Sequence, residues 1–130
     1  MYALVIDDSR AMRRILGKIV LRLGFDVLEA ENGVEGWKQL EANAGEIEVV
    51  LVDWNMPVMN GLEFVKTVRA NDDYRNHKLV MVTTETEPNQ MVRALLAGVD
   101  EFVMKPFTED ILVEKLKLIG VRINSSAAAM

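Results

Sequence analysis

Short apolar runs alternate with longer segments of helical periodicity along the whole chain. Apolar or partly apolar runs of four to six residues are typical of strands, and they cover residues 2–6, 25–30, 49–53, 79–83 and 101–104. After each run, apolar residues recur every three or four positions, as in a helix that buries one face. The pattern therefore predicts five strand–helix pairs.

Residues that start or stop helices lie where this pattern needs them. Asp8 or Ser9 can cap the first predicted helix with a side-chain oxygen. Pro88 suits the first turn of the fourth helix, because its missing N–H has no partner there anyway, and Gly98 can end that helix. Thr108 can cap the fifth. These signals support the periodicity.

The third run, residues 49–53, is apolar at every position until it ends in Asp53. A strand of this kind is buried on both faces, which is typical of a parallel sheet covered by helices. Five alternations of strand and helix favour the same architecture. The sequence therefore predicts an α/β fold with a parallel sheet between two layers of helices.

Composition narrows the class of protein. The 130 residues are 50% hydrophobic and 27% charged, which suits one globular domain. The absence of cysteine excludes disulfides and thiolate metal sites, and no apolar run reaches the roughly 18 residues of a membrane span. A net charge of −5 argues against general nucleic-acid binding, which needs a basic surface. We expect a cytoplasmic protein with neither membrane insertion nor nucleic-acid binding.

Polar residues follow four of the predicted strands. They are Asp7 and Asp8 after the first, Asp53 after the third, Thr83 after the fourth and Lys105 after the fifth. A single aspartate in such a place is usually a helix cap or turn former. In a parallel sheet, however, these strand ends meet at one edge, where open α/β sheets bind ligands.

This set of side chains suits phosphoryl transfer. Three carboxylates in one cleft repel one another, so such a cluster favours a bound cation, and oxygen ligands without nearby histidine or cysteine favour Mg²⁺ over zinc. Lys105 adds positive charge that can stabilise a phosphoryl group. An ionised aspartate can itself be the nucleophile.

The motifs together resemble the receiver domain of two-component response regulators over about residues 2–120. They are Asp7-Asp8, the segment from Asp53 to Pro57, Asn60-Gly61, the segment from Met81 to Thr83, and the segment from Lys105 to Phe107, in the family's order. The resemblance implies a flavodoxin-like (βα)5 doubly wound sandwich with a five-stranded parallel sheet of order 2-1-3-4-5.

The resemblance also implies roles around the acceptor. Asp53 would accept a phosphoryl group from a phosphohistidine on a sensor histidine kinase. Asp8 and Asp53 would ligate Mg²⁺ directly, or Mn²⁺ in its place, with Asp7 held through water and the backbone carbonyl of Asn55 completing the protein's ligands. Lys105 would hold a phosphoryl oxygen, and its bond to Pro106 would be a cis peptide.

Other positions would read or tune the phosphoryl group. Thr83 would move to hydrogen-bond it, and the aromatic residue Phe102 would shift inward with Thr83. Tyrosine is common at the position of Phe102, and phenylalanine lacks its hydroxyl, so a hydroxyl-mediated partner contact is impossible here. An ordinary core aromatic is the alternative for Phe102. Asn55 and Glu85 would set a comparatively short phosphoryl lifetime; two solvated loop residues are the alternative.

The implied output is protein binding, of the kind used in chemotaxis and motility. A downstream target would bind the surface of the fourth helix, fifth strand and fifth helix. The output residues would be Thr86, Phe102, Met104 and Lys115. We expect a monomer that is not an enzyme beyond its own phosphorylation and dephosphorylation. Residues 1–122 would form the receiver domain and residues 123–130 a flexible tail, either native or added by cloning.

Two alternatives to a stand-alone switch remain at this point. One is a receiver domain of a larger regulator. The other is a Mg²⁺-dependent phosphatase with an aspartate nucleophile, although haloacid-dehalogenase-like enzymes carry a second aspartate where this chain has Asn55.

Further side chains have less specific patterns. We expect Arg10, Arg13 and Arg14 to form a solvated helix face, with guidance of a kinase as the alternative. His77, the only histidine, is expected at the surface. Trp54, beside the acceptor, could report ligand binding through its fluorescence.

Overall fold

The structure, a computed structural model, describes residues 1–84 and 87–123. Strands and helices alternate through these residues. They are β1 (Tyr2–Ile6), α1 (Arg10–Arg22), β2 (Asp26–Ala30), α2 (Gly33–Asn43), β3 (Ile47–Val52), α3 (Gly61–Ala70), β4 (Lys78–Thr83), α4 (Pro88–Ala97), β5 (Glu101–Met104) and α5 (Glu109–Leu118). The five predicted strand–helix pairs are confirmed.

The strands form one parallel sheet in the order β2-β1-β3-β4-β5. The predicted flavodoxin-like topology is therefore confirmed. β3 lies in the middle, with Val50 paired between Leu4 of β1 and Leu79 of β4. Because all strands run the same way, their carboxyl ends form a single edge of the sheet.

Two apolar layers cover the sheet, one on each face. Leu4 and Ile6 of β1 face the layer that includes α2, α3 and α4, whereas Ala3 and Val5 face the layer that includes α1 and α5. All four side chains are fully buried. This double burial explains why the central strands lack an alternating apolar–polar pattern.

Helices α1, α2, α3 and α5 begin at side-chain caps. Ser9 accepts a hydrogen bond from the Met12 N–H at the start of α1, as predicted. Asn60 and Glu63 form a reciprocal capping box at the start of α3, which satisfies two backbone donors at once. Thr108 caps α5. The caps fix where each strand-to-helix loop ends.

Strand boundaries differ from the prediction by one or two residues. β3 begins at Ile47 and not at residue 49, because Ile47 already pairs with Tyr2 across a register irregularity in β1. A short 3-10 helix, Ala44–Glu46, precedes it and was not predicted. The ends of the strands are set by backbone pairing with the neighbouring strand. The apolar pattern of the sequence does not record this pairing.

Arg69 ties α3 to two loops at the opposite edge of the sheet. Its guanidinium donates to the backbone oxygens of Arg75, His77 and Gly98 at 2.6, 2.7 and 2.8 Å. It also forms an ion pair with Asp100 at 2.9 Å. The side chain is 19% exposed, so these contacts are largely shielded from water.

His77 is half-buried and contacts two carbonyl oxygens. Its Nδ1 lies 3.0 Å from the Tyr74 oxygen and its Nε2 lies 2.8 Å from the Ala44 oxygen. The residue therefore links the loop before β4 to the end of α2. His77 is therefore partly exposed and also makes structural backbone contacts that the sequence did not indicate.

No helix within residues 1–84 and 87–123 is long and apolar enough to cross a membrane. Of the expected tail, residues 124–130 lie outside the described part of the chain, as do Glu85 and Thr86.

Candidate functional site

Asp53 follows the last residue of β3 and is held by backbone contacts on both sides. Its N–H donates to the Ile6 oxygen at 3.0 Å, and its Oδ1 accepts from the Trp54 N–H at 2.8 Å. Asp53 is 8% exposed. The carboxylate thus sits at the carboxyl edge of the sheet in a fixed direction.

Gly61 lets α3 start directly against Asp53. Its N–H donates to the Trp54 oxygen at 2.9 Å. A Cβ on Gly61 would lie 2.0 Å from the carbonyl oxygen of Asp53, closer than any side chain can approach. Only glycine therefore permits this packing.

Asp7 and Asp8 reach the same place from the end of β1. Asp7 is almost fully buried, and its Oδ1 accepts from the Ser9 N–H at 2.9 Å. Asp8 is exposed. One carboxylate oxygen from each of Asp7, Asp8 and Asp53 lies within 4.8 Å of the others. The structure thus brings the three predicted carboxylates together.

Lys105 reaches the carboxylates from the far side of the sheet. Its backbone N–H pairs with the Thr83 oxygen at 2.9 Å, and its peptide bond to Pro106 is cis, which confirms the expected isomer. The ammonium lies 2.7 Å from Asp7 Oδ2 and 3.5 Å from Asp53 Oδ2. One cation therefore faces two buried carboxylates.

The pKa of the Asp53 carboxyl is raised above its ordinary value, chiefly because burial strips the ionised form of water. Lys105 and a hydrogen bond from the Thr83 hydroxyl act in the opposite direction, whereas the charge of Asp7 adds to the rise. Burial thus disfavours the ionised Asp53 carboxylate, and a bound cation would favour it.

The donors suit a hard divalent cation. Two of the three carboxylates are buried and one is exposed. Water can therefore fill the other coordination positions of a bound ion, as Mg²⁺ prefers. Asp7, Asp8 and Asp53 thus form an acidic pocket, and a bound Mg²⁺ would neutralise charge on these carboxylates.

Thr83 and Phe102 lie behind the site. Thr83 ends β4, is fully buried and bonds Asp53 through its hydroxyl. The Phe102 ring is 7% exposed and packs in the apolar layer that includes α4. The ring therefore lies inside the protein. That it moves with Thr83 on phosphorylation stays a prediction.

The loop from β3 to α3 contains a strained turn. Val58 has a φ of 70°, and the Met59 N–H donates to the Pro57 oxygen at 2.8 Å, which closes a γ-turn around Val58. Val58 is 80% exposed. Asn55, in the same loop, is also exposed, beside the acceptor strand.

Two of the predicted output residues, Met104 and Lys115, lie on β5 and α5. Met104 is half-buried on the edge strand β5. Lys115 of α5 is half-buried and forms an ion pair with Glu101 of β5 at 3.4 Å. Glu85 and Thr86 fall outside the described residues, so their expected roles stay predictions.

Arg13 is a contact of the site that the sequence did not indicate. Its Nη1 donates to the Asp7 backbone oxygen at 2.6 Å, and its Nε donates to Glu29 at 3.0 Å. The solvated helix face expected for the arginines of α1 is therefore wrong for Arg13. Arg10 and Arg14 are exposed, as that interpretation requires.

Comparison with known proteins decides the family. A family model described as the response regulator receiver domain matches residues 3–117. The chain belongs to the response regulator receiver family. The receiver is 49% identical over 120 residues to the chemotaxis protein CheY1 of Helicobacter pylori strain J99, covering 92% of this chain and 96% of that protein.

Two further relatives point the same way. The receiver is 48% identical over 130 residues to the chemotaxis protein CheY homolog of Campylobacter jejuni, covering 98% of this chain and 99% of that protein. The solved structure of Vibrio cholerae chemotaxis protein CheY4 matches with a TM-score of 0.83 at 31% identity, covering 91% of this chain and 97% of that one. The chain is thus a phosphorylation-activated two-component response regulator of the chemotaxis type, and it acts as a signalling switch.

Proposed function

We propose that Asp53 is the residue that accepts the phosphoryl group, from a phosphohistidine of a sensor histidine kinase. The observation that supports this most is the convergence of Asp7, Asp8 and Lys105 around one buried, oriented carboxylate. An Asp53 oxygen forms a bond to phosphorus while the bond from phosphorus to the imidazole nitrogen breaks. The kinase histidine leaves with the electron pair.

Each neighbour has a defined task in this transfer. The Trp54 N–H fixes the acceptor through Oδ1, which leaves Oδ2 facing Lys105. Lys105 holds a phosphoryl oxygen once the group is attached. Asp8 and Asp53 would hold Mg²⁺, or Mn²⁺, directly, Asp7 would hold it through water, and Asn55 would add its backbone carbonyl. Thr83 donates its hydroxyl hydrogen bond to the phosphoryl group.

The output is a change in partner affinity. Thr83 and Phe102 shift together, and the surface formed by α4, β5 and α5 then favours a downstream target protein. Thr86, Phe102, Met104 and Lys115 contribute to this surface. The receiver works as a monomer, within residues 1–122, and Asn55 and Glu85 set the lifetime of the phosphoryl group.

Stoichiometric labelling tests the acceptor. In Mg²⁺ with a small acyl phosphate, wild type should take up one phosphoryl group and Asp53→Asn none. Asp26→Asn is the matched control, because Asp26 is an exposed aspartate at the start of β2. Full labelling of Asp53→Asn would show that another residue is the acceptor. Sustained turnover of small phosphate esters would instead favour an aspartate-nucleophile phosphatase.

A further inference from the structure

Arg13 holds the backbone of the acidic turn after β1. Its guanidinium is 15% exposed and donates from Nη1 to the Asp7 carbonyl oxygen at 2.6 Å. The same guanidinium donates from Nε to Glu29 at 3.0 Å. Two of its nitrogens therefore have fixed partners, one on the turn and one on β2.

This contact acts on Asp8 through the peptide that joins Asp7 to Asp8. A peptide is planar, so the Asp7 carbonyl and the Asp8 N–H rotate as one unit. A hydrogen bond that fixes the direction of the carbonyl therefore restricts the backbone of Asp8. Because Asp8 is exposed, little packing holds its side chain, and its direction depends on that backbone.

The turn is tied to β2 on both sides of Asp7. The Asp7 N–H donates to the Ala30 oxygen at 3.1 Å, and the Asp7 carbonyl is connected to Glu29 through Arg13. Glu29 is about half exposed, with 50% of its side chain accessible, so its ion pair alone contributes little. The role of Glu29 is to orient the Arg13 guanidinium. A lysine ammonium could not replace this guanidinium, because it lacks the planar arrangement of several N–H donors.

We propose that Arg13 is a positioning residue for the metal site: it sets the direction of Asp8 by fixing the Asp7 carbonyl, and Glu29 orients it. This rests on the proposed Mg²⁺ site. Partners that orient metal ligands typically change metal affinity by about 10- to 100-fold. We expect Arg13→Ala to weaken Mg²⁺ binding about tenfold and Glu29→Gln to weaken it less.

Titration with Mg²⁺, followed through the fluorescence of Trp54, measures this affinity without any phosphoryl transfer. Trp54 is buried and its N–H bonds Asp53. A Trp37→Phe background removes the other tryptophan. Circular dichroism in EDTA should show that each variant is folded at the temperature used. Arg14→Ala is the matched control, because Arg14 is the exposed neighbour in α1 and should bind Mg²⁺ as wild type does.

The outcomes separate the claims. Arg13→Lys should stay weak, because one ammonium cannot serve Asp7 and Glu29 in the same geometry; full rescue by lysine would overturn the proposal in favour of charge alone. At saturating Mg²⁺, Asp53 labelling in Arg13→Ala should return to the wild-type rate. Unchanged Mg²⁺ affinity in folded Arg13→Ala, with normal binding in wild type, would refute the role of Arg13 alone. If wild type itself shows no Mg²⁺-dependent signal, the metal site and the role of Arg13 both fail.

Discussion

The ammonium of Lys105 lies closer to Asp7 than to the proposed acceptor Asp53, at 2.7 Å against 3.5 Å. Asp7 belongs to the end of β1 and Lys105 to the end of β5, so the lysine crosses the ends of β3 and β4 to reach it. Lys105 therefore partly neutralises the carboxylates that would otherwise require a metal. Lys105 and a bound metal would both neutralise the same excess of negative charge.

Removing this cation should destabilise the metal-free receiver. The pair is buried, with Asp7 side chain 1% and Lys105 11% exposed, and breaking a buried pair typically costs about 3 kcal/mol. We expect Lys105→Met to lower the free energy of unfolding by about that amount in EDTA. Urea denaturation measures it. Lys117→Met, on the exposed face of α5, should have little effect, and an equal loss in both variants would contradict the assignment.

Replacing the acceptor carboxylate should have the opposite effect without metal. Because the native pKa of Asp53 is raised, the native state binds its proton more tightly than the unfolded chain does. Stability therefore falls as pH rises from the ordinary value of 3.8 through the native pKa. We expect Asp53→Asn to be more stable than wild type near neutral pH in EDTA, and this advantage to vanish below pH 3.8.

Thermal denaturation across pH, with and without Mg²⁺, checks this expectation. Mg²⁺ should stabilise wild type more than Asp53→Asn, because a ligand that binds only the native state stabilises it. An Asp53→Asn variant less stable than wild type near neutral pH in EDTA would contradict the inferred cost of burying the ionised Asp53 carboxylate.

Relaxing the γ-turn should stabilise the receiver. A β-branched residue at positive φ is strained, whereas asparagine tolerates that conformation. We expect Val58→Asn to raise the free energy of unfolding by about 1 kcal/mol. Val58→Ala is the control at the same site, because it removes the apolar surface yet keeps a strained Cβ, and it should gain less. If both variants gained the same free energy of unfolding, the cause would be the loss of exposed apolar surface and not relief of strain.

Arg69 should matter for stability and not for phosphorylation. Hydrogen bonds to a charged group contribute about 1.5–3 kcal/mol each, although not additively. We expect Arg69→Ala to cost about 3 kcal/mol in urea denaturation while Asp53 labelling below the unfolding transition is unchanged. Arg75→Ala, whose ion pair with Asp72 is exposed, should cost less than about 0.5 kcal/mol. Loss of labelling in folded Arg69→Ala would reveal an unforeseen coupling to the site.

The strands and the acidic cluster could be predicted because they depend on side chains. A doubly buried strand such as β3 requires an apolar run, and parallel strands necessarily bring their terminal residues to one edge. Asp7, Asp53 and Lys105 could therefore be grouped before any distance was known. The start of β3 at Ile47 was missed, since Glu48 interrupts the apolar run while the backbone still pairs.

The contacts of Arg13 and His77 could not be predicted, because their partners are backbone carbonyls. Every residue carries a carbonyl, so the sequence does not record which one a guanidinium or imidazole will meet. Arg13 and Arg14 are adjacent and identical, and the packing of α1 against β1 places Arg13 facing inward and Arg14 facing solvent. For such groups the tertiary arrangement alone decides which carbonyl the side chain contacts.

The pairing of Lys105 with Asp7 has a consequence for the order in which the protein is made. These residues are 98 positions apart, and all three carboxylates are present once Asp53 has been added, so a growing chain carries them through about 50 further residues before it carries their cation. The fifth strand, added at the edge of the sheet, brings Lys105 into place. A receiver still emerging from the ribosome therefore has the proposed phosphoacceptor before it has the lysine proposed to hold the phosphoryl group. On this proposal the receiver cannot hold a phosphoryl group before the last strand is made.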